Sequence, residues 1–249
     1  MEVELWRRSF ANFPSYICPK CARGTISLVA ETEKRMEARY AKREHAEKGY
    51  HPYNEVTRFS CLLQCSASSC GEVVAVSGDI VHDVEILVVD GEYQEEYTAE
   101  FMPRSMFPPP PVVRLPKKLP KDCSEHLKAS FALMWSDTGA CANRIRSFVE
   151  VLLDHFEIER KGPNKTGDIY RYSLLKRIKL FEAKKPGHET LYDALRIVGN
   201  LGSHEGSVKW DTLLQAFQLA DYLIEVLIED KGESMRAIAQ EIVDKKGKM

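Results

Sequence analysis

Cys18-Pro19-Lys20-Cys21 and Cys65-Ser66-Ala67-Ser68-Ser69-Cys70 decide how the chain divides. Two residues separate the first pair and four the second, spacings at which paired thiolates clasp one tetrahedral zinc ion. Pro19 sets the first turn, Gly24 follows three residues after Cys21, and Gly71 directly follows Cys70. Turn residues of this kind aim backbone amides at sulfur and stabilise thiolate charge. A small ribbon built on such turns buries little apolar surface, so metal binding and folding are expected to be coupled. Four sulfurs leave no open coordination position, and the expected Zn2+ is therefore structural. Cys61 competes as a ligand, but it sits within a strand pattern, whereas the run from Cys65 to Gly71 has the character of a knuckle. Cys123 and Cys141 stand alone in helical context and are expected to be core or surface thiols.

Composition bounds the rest. At 249 residues the chain has room for two domains. Lys+Arg 35 against Asp+Glu 37 gives a formal net charge of -2, so any polyanion site must be local rather than a global basic field. A hydrophobic content of 44% suffices for a packed core. No apolar run approaches the ~20 residues of a membrane span, and Met1-Glu-Val-Glu-Leu-Trp-Arg-Arg8 lacks a signal-peptide apolar region. Seven cysteines, four of them in ligand spacing, favour a reducing cytoplasm over a disulfide framework.

The expected fold class is α+β. Residues 1–102 are assigned to a zinc-ribbon and small antiparallel β domain, with strand-like runs at Thr25–Val29, Val56–Leu63, Glu72–Val76 and Val84–Val89. Residues 31–49 carry dense mixed charge and are expected to form a solvated helical insertion. Residues 103–121, with Pro108–Pro111, Pro116 and Pro120 among basic residues, are expected to be a semi-rigid linker rather than a PxxP ligand. From residue 122 to 249 the periodicity is helical, with an N-cap at Asp122 or Ser124. Ile145, Phe148, Val149, Leu152, Leu153 and Phe156 form one apolar stripe. Leu174, Leu175, Ile178 and Phe181 mark a second helix, and Leu191, Ala194, Leu195 and Val198 a third. Leu213, Phe217, Ala220, Ile224 and Leu227 mark a fourth, followed by an amphipathic piece with Met235, Ile238, Ala239 and Ile242. Four or five helices with short connections make a bundle.

Two constellations in the helical half carry possible chemistry. Arg196, Asn200 and His204 are spaced four apart and share one face if the helix is continuous. An Arg, an Asn and a His converging there could bind a phosphodiester, and the imidazole could move a proton near neutral pH. Gly199 and Gly202 each cost about 1 kcal/mol in a helix interior, so a helix end closed by glycine is the plainer reading. The second is Asn143-Arg144-Ile-Arg146-Ser-Phe-Val-Glu150. Arg146 and Glu150 form an i,i+4 pair, most simply a surface ion pair, while an arginine there could also face the His204 region across the bundle.

The cysteine ribbon, the run Arg144-Ile-Arg146-Ser-Phe-Val-Glu150-Val-Leu-Leu153 and the run Gly199-Asn200-Leu-Gly-Ser-His204 together resemble a known arrangement. It is that of bacterial zinc-ribbon proteins with a HEPN-like C-terminal helical domain of unknown function, including phage-defence and restriction-associated members. The resemblance implies a four- to five-helix bundle that forms a homodimer. In active members it implies a metal-independent endoribonuclease. Asn200 and His204 match the polar and histidine positions of that motif, whereas Gly199 stands where the arginine belongs. Arg196, one turn earlier, replaces it only if the helix holds through Gly199. The implied partners are RNA or other nucleic acid, a second copy, and a partner protein of a defence or restriction system. Two functions follow: a non-catalytic recognition module, or an endoribonuclease using Arg196, Asn200 and His204.

Overall fold

The computed structural model describes residues 2–89 and 92–245. The chain forms two compact units, one of residues 2–111 with 131–137, the other of residues 112–130 with those from Thr138 onward. The architecture is an antiparallel sheet in the N-terminal part and helices in the C-terminal part.

The sheet runs β1 (Tyr16–Ile17), β2 (Thr25–Leu28), β3 (Lys34–Glu37), then after α1 (Arg39–Lys48) β4 (Thr57–Cys65), β5 (Val73–Val89) and β6 (Glu92–Phe107). The spatial order is β1-β2-β4-β5-β6, with β3 also paired to β4, and every pairing is antiparallel. Strict alternation in β4 buries Thr57, Phe59, Cys61, Leu63 and Cys65 and turns the intervening residues outward. This is the pattern of an antiparallel strand with one face on a core. Phe13 extends that core, with ring centroids 5.9 Å from Phe59 and 5.0 Å from Phe101. Trp135, from the returning segment 131–137, stands 6.4 Å from Trp6 and 6.3 Å from Phe10.

Two expectations change here. The charged insertion 31–49 is not one helix: Lys34–Glu37 is an edge strand on β4, and the helix occupies Arg39–Lys48 with Ala41 as its buried residue. Dense mixed charge suits a solvated edge strand as well as a helix, because charged side chains also keep an edge from pairing with other chains. The expected runs Glu72–Val76 and Val84–Val89 belong to one strand, β5, and β6 is a strand that no expected run covers. These two strands pair with each other from Ala75 opposite Phe107 to Val89 opposite Glu92, although β4 accompanies β5 only to Ile80. Beyond that point the two strands pair only with each other, while His82 and Tyr97 keep contact with residues 51–55. Gly78 lies at the register irregularity of this pair, where a Cβ would come within 2.2 Å of the Met102 carbonyl oxygen. Only glycine fits so close an approach.

The helical unit holds α2 (Lys121–Leu133, whose last three residues count with the sheet unit), α3 (Thr138–His155), a hairpin of β7 (Lys161–Pro163) and β8 (Ile169–Arg171), α4 (Leu174–Lys184), α5 (Glu189–His204), α6 (Trp210–Leu227) and α7 (Lys231–Asp244). Helix α3 is central, in contact with α4, α5 and α6. Its stripe Ile145, Phe148, Val149, Leu152 and Leu153 is fully buried, as are Leu213, Phe217 and Ala220 of α6. The proline-rich stretch does not behave as a spacer. Strand β6 runs to Phe107, and Val112, Val113 and Leu119 are buried. Arg114 of the same stretch pairs with Glu229 and lies 4.0 Å from Glu225. Apolar residues between the prolines gain more from burial than an extended solvated segment could. On α7, by contrast, Met235, Ile238 and Ile242 are exposed. Among the described residues no helix is long and apolar enough to cross a membrane.

Candidate functional sites

The first site forms where two turns meet. Cys18 and Cys21 lie in the turn after β1, Cys65 ends β4, and Cys70 lies in the turn that leads to β5. Pairing of β2 with β4 puts Ile26 opposite Cys65 and so sets the two turns side by side. All four sulfurs lie within 4.8 Å of one another, and the Cys18–Cys70 and Cys21–Cys65 separations are both 3.8 Å. A tetrahedron with zinc–sulfur bonds of about 2.3 Å has edges of about 3.8 Å. The donor set is therefore compatible with zinc, and Cys18, Cys21, Cys65 and Cys70 are the residues that would hold it.

Backbone amides serve the sulfurs as the turn sequences suggested. Gly24 N–H donates to Cys21 Sγ and Ala67 N–H to Cys65 Sγ, each at 3.4 Å. A Cβ on Gly24 would stand 2.7 Å from Cys65 Sγ, so this glycine makes room for the cluster. The amides of Gly24 and Arg23 draw the Cys21 thiol down to about 6. Cys65 goes the other way, to about 12: the Ala67 amide lowers it, but burial and the neighbouring sulfurs outweigh that pull. Four thiolates so close repel one another, and a divalent cation among them removes the conflict. Cys61 is outside the cluster. It lies four residues back along β4, about 13 Å at strand rise, buried opposite Val76, with its thiol pushed up to about 11 by burial. Cys123 and Cys141 are buried in the helical unit, where Cys141 Sγ donates to the Ser130 carbonyl at 3.1 Å.

The second site is a face of α5. The helix does not break at its glycines; it runs unbroken to His204, with Glu205 as C-cap and Gly206 at φ +71° beyond it. Gly199 and Gly202 are buried against α3. A Cβ on Gly202 would meet the Gly139 carbonyl oxygen at 2.4 Å and Ala142 Cβ at 3.0 Å. A Cβ on Gly199 would meet Arg146 Cβ at 2.4 Å. The glycines thus let α3 and α5 approach more closely than side chains allow, and this packing offsets their cost to the helix. Polar contacts fasten the same seam: Ser203 Oγ donates to Asn143 Oδ1 at 2.5 Å, and Val208 N–H donates to Thr138 Oγ1 at 3.0 Å.

Arg196, Asn200 and His204 therefore stand at four-residue steps on one continuous helix, drifting about 40° per step. Arg196 Nε donates to Asp193 Oδ1 at 2.6 Å. His204 is exposed in the last turn. Asn200 Oδ1 accepts a hydrogen bond from Arg146, whose Nε also lies 3.5 Å from Glu150. Both readings of Arg146 hold together: it is an i,i+4 ion-pair partner and it reaches across to α5. The bare Gly199 leaves the room in which the Arg146 side chain reaches α5. Sequence spacing alone could not join residues 146 and 200.

Other arrangements had no local signal. His82 Nε2 lies 3.0 Å from Glu55, which also accepts from Tyr50 and Thr57, so this histidine belongs to a polar network of the sheet. Arg177 occurs within the apolar stripe of α4 yet is buried and charged, donating to Asp154 at 2.6 Å, the Ile158 carbonyl at 2.9 Å and the Glu150 carbonyl at 3.2 Å.

Set beside known proteins, the chain is similar to families over two of its stretches. No curated protein and no solved structure matches it. Residues 8–106 match a family model described as Domain of unknown function (DUF8608), and residues 128–248 match one described as Domain of unknown function (DUF4145).

Proposed function

We propose that this protein is a nucleic-acid recognition module in which a zinc-ribbon head, stapled by structural Zn2+, is joined to a HEPN-like helical body that acts as a homodimer. RNA is the substrate class favoured, and a defence or restriction complex the favoured setting. One observation carries the reading: an unbroken α5 presents Arg196, Asn200 and His204 on one side, with the Arg146 guanidinium against Asn200. Guanidinium groups bind phosphate bidentately, and a neighbouring amide orients the strand. The metal in this reading binds no substrate, because four sulfurs fill its coordination shell.

The continuity of α5 through Gly199 also favours a second reading, a metal-independent endoribonuclease. His204 would take the proton from a ribose 2′-hydroxyl, and the 2′-oxygen would attack the adjacent phosphorus. The bond to the 5′-oxygen breaks, that oxygen takes a proton from solvent, and a cyclic phosphate remains. Arg146 and Arg196 would neutralise the charge that develops on the phosphoryl oxygens.

A titration of the purified protein with end-labelled RNA, at rising salt and in the presence of a chelator of free metal, tests both. Recognition predicts binding that weakens with salt and falls at least tenfold in Arg146→Ala. Catalysis predicts cleavage that the chelator leaves alone and that His204→Ala abolishes while the fold survives. A protein that retards no RNA at low salt ends both readings. Equal cleavage by wild type and His204→Ala ends the second alone.

A further inference from the structure

Helix α3, the β7–β8 hairpin and the start of α4 line a half-open cavity of about 330 Å³ in the helical unit. Its lining includes four arginines, Arg146, Arg160, Arg171 and Arg177, together with Tyr172 and Ser173. Two carboxylates answer them. Asp154 takes Arg160 Nε at 2.9 Å and Arg177 at 2.6 Å, and Glu150 takes Arg146 at 3.5 Å. Four guanidinium charges less two carboxylates leave a balance of two positive charges. Arg171 is exposed and has no carboxylate partner among the described residues. Arg177 is almost wholly buried, and its Nε finds no hydrogen-bond acceptor. A buried cation with an unanswered donor beside an unpaired arginine is an arrangement that folding alone does not favour.

The cavity also opens at the N-terminus of α4. Ser173 caps that helix by accepting the Lys176 N–H at 3.2 Å, and Leu174 belongs to the lining. The first amides of a helix and its dipole favour an anion at this point. Tyr172 supplies a flat wall: its hydroxyl oxygen sits where a Cβ of Gly162 would be, only 2.0 Å away, and its N–H closes the hairpin on the Arg160 carbonyl at 2.9 Å. The volume lies at the small end of ligand pockets.

We infer that this cavity binds the phosphomonoester dianion of a nucleotide, with Arg160 and Arg171 on the phosphate and Tyr172 beside the sugar or base. The inference deepens the nucleic-acid reading above and depends on it only for the source of the phosphate, a free nucleotide or the 5′ end of a strand. Arg146 lines the cavity and also touches Asn200, so a strand anchored by its end here would lead toward the α5 face.

The test compares a 3′-labelled hexaribonucleotide carrying a 5′-phosphate with its 5′-hydroxyl twin, and a nucleoside monophosphate with its nucleoside. The phosphorylated strand is expected to bind at least tenfold tighter, and Arg171→Ala and Arg160→Ala each to erase the preference. Arg171 is exposed, so an unchanged melting curve for Arg171→Ala certifies the fold. Displacement of the strand by an equal concentration of the monophosphate identifies free nucleotide as the natural source; failure to displace it identifies the strand end. Equal affinity for the two strands, or a preference that survives Arg171→Ala, overturns the inference while leaving nucleic-acid recognition standing. Binding of the monophosphate but of neither strand upholds the cavity and removes the RNA reading.

Discussion

The cysteine clasp and the α3–α5 seam are both places where distant segments are drawn together, and they do it by opposite means. At the clasp two turns bring four sulfurs within 4.8 Å of one another, a donor set that could hold one metal ion. At the seam the helices converge because atoms are missing, at Gly139, Gly199 and Gly202. A clasp of the first kind is expected to respond to chemistry in solution, to chelators and to oxidants. A seam of the second kind responds only to mutation. The comparison explains why one unit is expected to depend on its surroundings and the other is not.

The largest effect that bears on this contrast is metal removal. Structural zinc contributes about 10–16 kcal/mol of apparent binding free energy in small metal-dependent folds. Chelation under reducing conditions, or Cys65→Ser, is therefore expected to abolish the cooperative melting of the sheet unit and leave helical circular dichroism in place. Elemental analysis of reduced protein should then give one zinc per chain, lost in the variant. If both units melt unchanged without metal, the clasp is not structural.

Next comes Gly202→Ala. Helix propensity alone predicts a gain of about 1 kcal/mol. The 2.4 Å approach to the Gly139 carbonyl predicts the reverse, a loss of about 1–3 kcal/mol from overpacking. Denaturant midpoints decide the sign, and a stabilised variant would mean the seam is looser than described. Phosphate-binding variants come third: Arg146→Ala should cost nucleic-acid affinity tenfold or more with little effect on melting, since the side chain is partly exposed.

The smallest effect is acid sensitivity. Glu182 is held below its usual value by the amides of Gly187, His188 and Glu189, and Asp154 by Arg160 and then Arg177. Folded-state values below the unfolded ones stabilise above the unfolded carboxylate range and lose that contribution as pH falls through it. Stability of the helical unit should thus decline below about pH 4.5, and Glu182→Gln should flatten the decline. A variant with an unchanged pH profile would show that the carboxylate does not hold the start of α5.

Legibility in the sequence follows the same division. The cysteine cluster is legible because its members come in close pairs at short fixed spacings, and the strand context of Cys61 favours Cys70 over it, as the geometry bears out. The stripe of α3 and the helix of α6 were readable because burial repeats with helical period. The glycines of α5 read as a helix end, since their local cost is visible at positions 199 and 202 while the neighbours that repay it, Gly139, Ala142 and Arg146, lie 53–63 residues earlier (199 less 146, 202 less 139). The outer half of β5 is legible as the run Val84–Val89, but its link to Glu72–Val76 through Gly78, Asp79 and Asp83 is not, and neither is β6, whose Glu92, Glu95 and Glu96 mask a strand. Of the arginine cavity only Arg146 and Glu150 stand out in the sequence, because the rest of its lining is spread over residues 160–177 without any motif spacing.

The chain leaves the sheet unit at Pro111 and returns to it for Phe131–Asp137 before departing for good. A recombination breakpoint placed between the two matched stretches would carry Trp135 away from Trp6 and Phe10, its ring neighbours. The two halves are thus poor cassettes for shuffling, and a fragment beginning at Val112 is expected to aggregate through a stranded tryptophan unless that short return is redesigned.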